Sequence, residues 1–224
     1  MENFNNEELK THLKILQELG FEEIILDKEY LPSEEILKEK KKMLDLINKE
    51  IQVCTKCDLH KSRTQAVLGD GNLNAKLMFI GEAPGEEEDK QGKPFVGRAG
   101  KLLNKLIQKA GHKREEFYIA NICKCRPPGN RTPTLEEMET CFPYLKKQIE
   151  IINPSVLCLL GATAGMAFLG RKVKITKERG EVIKWQDKIL LLTYHPAYVL
   201  RNPKEEETLF NDIKRAIEVA YTGL

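Results

Sequence analysis

The chain has 224 residues, 41% of them hydrophobic and 31% charged, with a formal net charge of +2 at neutral pH. That length can bury one substantial core, and it predicts one domain plus an appendage. Near-neutral charge excludes a polyanion binder that is basic all over. No apolar run reaches the roughly 18 residues of a membrane span.

The opening MENFNNEELK is polar and acidic and has no signal-like apolar stretch. An intracellular, cytoplasmic protein is expected, in which cysteines are reduced and free to act as ligands. Residues 6–19 carry leucines at helical spacing, and a second helix is predicted from Ser33 to about Ile51 through the charged stretch KEKKK. KLMFIG reads as a buried strand running into the polar loop GEAPGEEED, and KLLNKLIQKAG reads as a helix closed by Gly111. FYIANIC is a second apolar strand, leading into the loop KCRPPGNRTP. Thr134 and Glu137 form a T-x-x-E capping box for the next helix. VLCLLG is a third buried strand, followed by a small-residue helix. GEVIKW and KILLLT read as paired strands, YHPAYVLRNP as a loop and EETLFNDIKRAIEVAY as a final helix. Strands alternating with helices imply an α/β sandwich with a largely parallel sheet, whose ligand sits at the carboxyl ends of the strands.

Six cysteines punctuate this plan. Cys54 and Cys57 form a CxxC clip, and Cys125 and Cys141 can complete a four-sulfur shell around zinc or an iron–sulfur cluster. Cys123 and Cys158 lie in apolar runs and read as small core residues. Three loops fall at strand carboxyl ends. In the first, Gly81-Glu82-Ala83-Pro84-Gly85 is a constrained backbone that can approach a ligand or simply turn the chain, and Glu86-Glu87-Glu88-Asp89 would repel phosphate. Asn121 ends the second strand; its amide can read a nucleobase edge or bond the neighbouring loop. His195, before Pro196, can stabilise an anion or shuttle a proton. Phe95 is placed either to stack on a base or to fill the core. Arg126, Arg131 and Arg201, with Lys124 beside them, can supply the local basic patch.

In this order, CTKC, GEAPGEEED, GKPFVGRAGKLLN, YIANICKCRPPGNRTP and YHPAYVLRNP resemble the motifs of the family 4 uracil-DNA glycosylases, over residues 50–218. The resemblance implies a three-layer α/β/α sandwich with a central, mostly parallel four-stranded sheet. It implies a DNA-repair enzyme that removes uracil from single- or double-stranded DNA, and a [4Fe–4S] cluster on Cys54, Cys57, Cys125 and Cys141. Asn121 would bond the uracil edge, and Phe95 would stack on its face. Gly81, Glu82 and Ala83 would position water and accept the pyrimidine. His195 would face O2, and Glu88 would close the pocket against thymine's methyl group. Arg126, Arg131 and Arg201 would meet the DNA, with Val199 or Leu200 filling the gap left in the duplex. Many other uracil glycosylases carry Asp where this chain has Ala83, so the water-activating base is unassigned. No lysine occupies a motif position, so the expected enzyme is a monofunctional, monomeric hydrolase without lyase activity, and a replication-clamp partner stays open. Two rival classes compete with it: a non-catalytic four-cysteine zinc or iron–sulfur module that binds nucleic acid, and a redox-sensing cluster protein.

Overall fold

The computed structural model describes residues 33–223. The predicted helix at 6–19 lies outside the described residues. The chain divides into two units, Met1–Lys42 and Met43–Leu224. Of the first unit, residues 33–42 form the opening turns of helix α1, Ser33–Gln52, with Lys38, Lys41 and Lys42 exposed as expected of a solvated charge run.

In the second unit, α1 turns Leu44, Ile47 and Ile51 inward at helical spacing. The sheet that follows has six strands. They are β1 (Asp70–Gly71), β2 (Leu77–Gly81), β3 (Tyr118–Asn121), β4 (Val156–Leu160), β5 (Val182–Trp185) and β6 (Lys188–Thr193), in the spatial order β1-β3-β2-β4-β6-β5. The middle four are parallel, as the expected four-stranded core requires; β1 and β5 add antiparallel edges. The five residues of β2 and the five of β4 are all buried, which is why these strands read as unbroken apolar runs.

Alternation along these strands feeds two cores. Met78 and Ile80 join Tyr118, Leu157 and Leu190 on one face, packed against α1, α4 (Leu135–Ile152) and α5 (Ala162–Leu169). Leu77 and Phe79 join Ile119, Cys158 and Leu191 on the other, packed against α3 (Arg98–Lys109) and α8 (Glu206–Thr222). The result is helix, sheet, helix: a three-layer sandwich. Short helices α2 (Glu86–Gln91), α6 (Ile175–Glu178) and α7 (Pro196–Arg201) complete it. The capping box forms as read. Thr134 Oγ1 accepts from Glu137 N–H at 3.2 Å, and Glu137 Oε2 accepts from Thr134 N–H at 2.7 Å. Helix α7 corrects the expectation of a loop at YHPAYVLRNP. Proline at its first position and the His195 side chain at its N-cap start a short helix inside an otherwise loop-like sequence.

Candidate active site and four-cysteine centre

The segments leaving the carboxyl ends of β2, β3 and β6 meet over one cavity of about 440 Å³. Gly81 ends β2 directly opposite Asn121 at the end of β3. A Cβ at Gly81 would stand 2.4 Å from Asn121 Oδ1 and 2.6 Å from Phe95 Cζ, so only glycine lets both side chains close on the strand end. The ladder runs one step further, with Ile122 N–H on Gly81 O at 2.9 Å and Cys123 N–H on Glu82 O at 3.0 Å. This pairing sets Glu82 and Ala83 in the cavity wall.

Asn121 is 2% exposed, and its Oδ1 has no hydrogen-bond partner. The neighbouring loop therefore does not satisfy that oxygen. A buried acceptor left unpaired costs about 1–3 kcal/mol, so this oxygen stands out among the polar groups of the cavity wall. Phe95 lies alongside, 5% exposed, with its ring centroid 5.7 Å from that of His195. Its backbone has φ +52°, a left-handed conformation that an aromatic residue adopts at a cost of about 1 kcal/mol or more.

His195 is oriented by the helix that it caps. Its Nδ1 accepts the Ala197 N–H at 3.1 Å, which leaves Nε2 as the protonated nitrogen of the neutral ring. Burial, with the Arg201 charge adding to it and Glu88 opposing, lowers its pKa to about 4. At neutral pH the ring is thus an uncharged donor. Gly161, at φ +99°, follows β4 beside it, where a Cβ would come within 3.1 Å of His195 Cβ.

The acidic run has a structural explanation. Glu86–Asp89 open α2, where carboxylates meet the positive end of the helix dipole. Asp89 turns back to accept the Thr64 N–H with both oxygens, at 2.9 and 3.0 Å. Glu88 lines the cavity while its Oε1 accepts from Val96 N–H and Gly97 N–H at 2.9 and 2.8 Å, and its Oε2 from Gly85 N–H at 3.2 Å.

Around the rim, Arg131 and Arg201 line the cavity and both are exposed. Arg131 forks onto Glu137 at 2.8 and 2.7 Å, and Arg126 holds Asn130 Oδ1 at 2.8 Å with Glu86 3.6 Å away. Lys124 does not belong to this patch. It is 1% exposed, and its Nζ donates to Asn121 O at 2.8 Å and to Gln148 Oε1 at 2.6 Å. Desolvation lowers its pKa to about 8 against the pull of the nearby Cys141, Cys123 and Cys125. Val199 is 1% exposed and packs in the core, whereas Leu200 is half-buried; of the two, only Leu200 reaches the surface. Arg114, which no sequence pattern singled out, donates to Pro94 O at 2.6 Å and to Phe95 O at 3.0 Å behind the cavity wall.

The four cysteines come together. Cys54 and Cys57 after α1, Cys125 after β3 and Cys141 in α4 line one hollow with Arg63, Lys124 and Tyr144. Burial pushes the Cys125 thiol up to about 11, and burial also raises Cys57. Such thiols give up their protons to a metal more readily than to water. Arg63 Nη1 donates to Cys125 Sγ at 2.9 Å and Lys124 N–H to Cys141 Sγ at 3.2 Å, the kind of outer support a thiolate-bound centre uses. Among the described residues no group of three or more His, Cys, Asp or Glu side chains is arranged to hold a single metal ion. The all-sulfur donor set and its N–H···S donors fit an iron–sulfur centre. Cys123 and Cys158 are buried, as read. No helix among the described residues is long and apolar enough to cross a membrane.

Comparison with known proteins places this geometry. The family described as "Uracil DNA glycosylase superfamily" matches residues 68–218. A type-4 uracil-DNA glycosylase of Thermotoga maritima is 49% identical over 181 residues, covering 79% of this chain and 94% of that protein. One from Archaeoglobus fulgidus is 45% identical over 184 residues, covering 79% and 92%. A type-5 uracil-DNA glycosylase of Pyrobaculum aerophilum is more distant, 30% identical over 166 residues, covering 65% and 73%. With the parallel sheet, the cavity at its strand ends and the four gathered cysteines, these matches identify the chain as a member of the type-4 uracil-DNA glycosylases.

Proposed function

We propose that this chain excises uracil from DNA by hydrolysing its N-glycosidic bond, leaving an abasic site. The observation that carries the reading is the buried, unpartnered Oδ1 of Asn121 at the strand end, beside the Phe95 ring and a neutral His195. A base inside a duplex is out of reach, so the target nucleotide is extruded into the cavity. Phe95 stacks on the flipped base. Asn121 donates to uracil O4 and accepts from N3–H, whereas cytosine presents the opposite pattern at both positions.

As the bond to the sugar breaks, negative charge grows on uracil O2. His195 Nε2–H, the ring nitrogen left to donate once Nδ1 is taken by the Ala197 amide, donates to that oxygen, and a fixed donor stabilises charge where it develops. Glu82 and the Gly81–Ala83 backbone hold the attacking water. With Ala83 in place of a carboxylate, the reaction leans on stabilising the separated charges. Glu88 stands against position 5 of the base, where thymine carries its methyl group.

Arg126, Arg131 and Arg201 contact phosphates, and Leu200 fills the space vacated in the duplex. Cys54, Cys57, Cys125 and Cys141 hold a [4Fe–4S] cluster, which when bound cross-links the start of the domain to the loop after Asn121 and to α4. Residues 50–224 form the glycosylase domain and 1–49 an extension whose last turns, through Leu44 and Ile47, pack into that domain's core; the enzyme acts in the cytoplasm as a monomer. The test is an oligonucleotide with one uracil. Incubation should leave the strand whole until alkali is added and then break it at uracil alone. A break before alkali would contradict a monofunctional hydrolase, and an intact strand after alkali would contradict excision itself.

A further inference from the structure

Phe95 is held in its left-handed conformation from both sides. Arg114 Nη2 donates to Pro94 O at 2.6 Å, and its Nη1 donates to Phe95 O and to Asn104 Oδ1, each at 3.0 Å. On the far side Glu88 Oε1 takes the N–H groups of Val96 and Gly97. Four consecutive residues, 94–97, are thus clamped by one cation on their carbonyls and one anion on their amides. Gly100 admits the arrangement, since a Cβ there would fall 1.9 Å from Phe95 O. Arg114 belongs to the short turn Arg114–Glu116 that leads into β3, the strand ending at Asn121. One continuous stretch of chain, 114–121, therefore carries both the Asn121 amide and the guanidinium that holds the backbone beneath the ring.

We propose that Arg114 is a positioning residue, whose planar fork holds the Pro94 and Phe95 carbonyls so that the Phe95 ring stays in the cavity wall beside Asn121. The proposal rests on the reading above, in which Phe95 stacks on uracil. A guanidinium can hold two adjacent carbonyls at once; a lysine ammonium is a single point charge on a flexible stem. Small misplacements of a substrate-positioning group reduce rates by as much as about a hundredfold, so the effect belongs in the chemical step.

The test is a double-mutant cycle on the full chain, measuring single-turnover release of uracil from an oligonucleotide, with melting followed in parallel. R114M should slow release by about 10- to 100-fold, and R114K, which keeps the charge and most of the stem, by an intermediate factor. In the F95A background neither substitution should slow release by more than about twofold, because the group it positions is gone. If R114M fails to fold, the R114K pair of measurements decides alone. Equal fold-losses in both backgrounds would overturn the role of Arg114 while leaving uracil excision intact. Full activity of F95A would overturn the stacking role and this inference with it. An inactive wild-type chain would overturn the functional reading itself.

Discussion

His195 shows how much one hydrogen bond fixes. Because Nδ1 accepts the Ala197 amide, the ring can serve the cavity only through Nε2, and it does so uncharged. Its pKa falls to about 4 in the folded protein from an ordinary 6.5, chiefly by burial, so the unfolded chain takes up a proton first as pH drops. Stability from this residue is complete above pH 6.5 and is lost progressively as pH falls towards 4, by an amount on the order of 2 kcal/mol allowing for the ring edge that meets the cavity. Denaturant unfolding of the wild type and of His195→Gln, compared from pH 8 to pH 4, should show a loss in the wild type that the variant lacks. The excision rate should not titrate through His195 between pH 5 and 8. A His195-dependent inflection near pH 6.5 would mean an exposed, ordinary imidazole. At this scale the sequence was most legible where a residue ends a strand. Asn121 and His195 were candidates because an amide ends one apolar strand and an imidazole follows another at the ligand-binding end of a parallel sheet, and the family resemblance then gave each a role. Arg114 was invisible because its partners are backbone carbonyls 19 and 20 residues away, which leave no side-chain pattern. Lys124 was misread as surface charge because the loop around it is basic. Nothing local announces that its ammonium is buried under the Asn121 and Gln148 oxygens.

Among the elements, α1, the buried strands and the T-x-x-E helix follow from periodicity and capping, which are local properties. Helix α7 was missed because six residues are too few to show a period. Its start depends on a histidine acting as cap, a role more often taken by Ser, Thr, Asp or Asn. β1 was missed for a similar reason: Asp70–Gly71 is defined only by pairing with Ile119 and Tyr118. The acidic run after β2 looked hostile to an anionic ligand. In the fold most of that charge is spent on the helix start, on Lys90 and on backbone amides, and Glu86 lies within reach of Arg126. The carboxylates hold loops in place, and Glu88 reaches the cavity with both oxygens already accepting backbone amides.

At the scale of the molecule, the four-cysteine centre and the cavity share one loop. β3 delivers Asn121, and four residues later the chain delivers Cys125 to the hollow completed by Cys54, Cys57 and Cys141. Loss of the centre should therefore be felt as loss of order beside the cavity. On the proposed [4Fe–4S] assignment, Cys125→Ala should lower the melting temperature and reduce the iron content from about four atoms per chain. A variant with unchanged iron and unchanged melting would remove Cys125 from the ligand set. On the proposed mechanism, bond breaking depends on the Asn121 amide at the end of β3. This dependence is tested most directly by single-turnover release of free uracil from a one-uracil oligonucleotide by the wild type and by Asn121→Ala. The wild type should release uracil, and the variant should be slower by about a hundredfold or more while melting no lower, since the substitution removes a buried acceptor with no partner. A variant as fast as the wild type, or a folded wild type that releases no uracil, would contradict it.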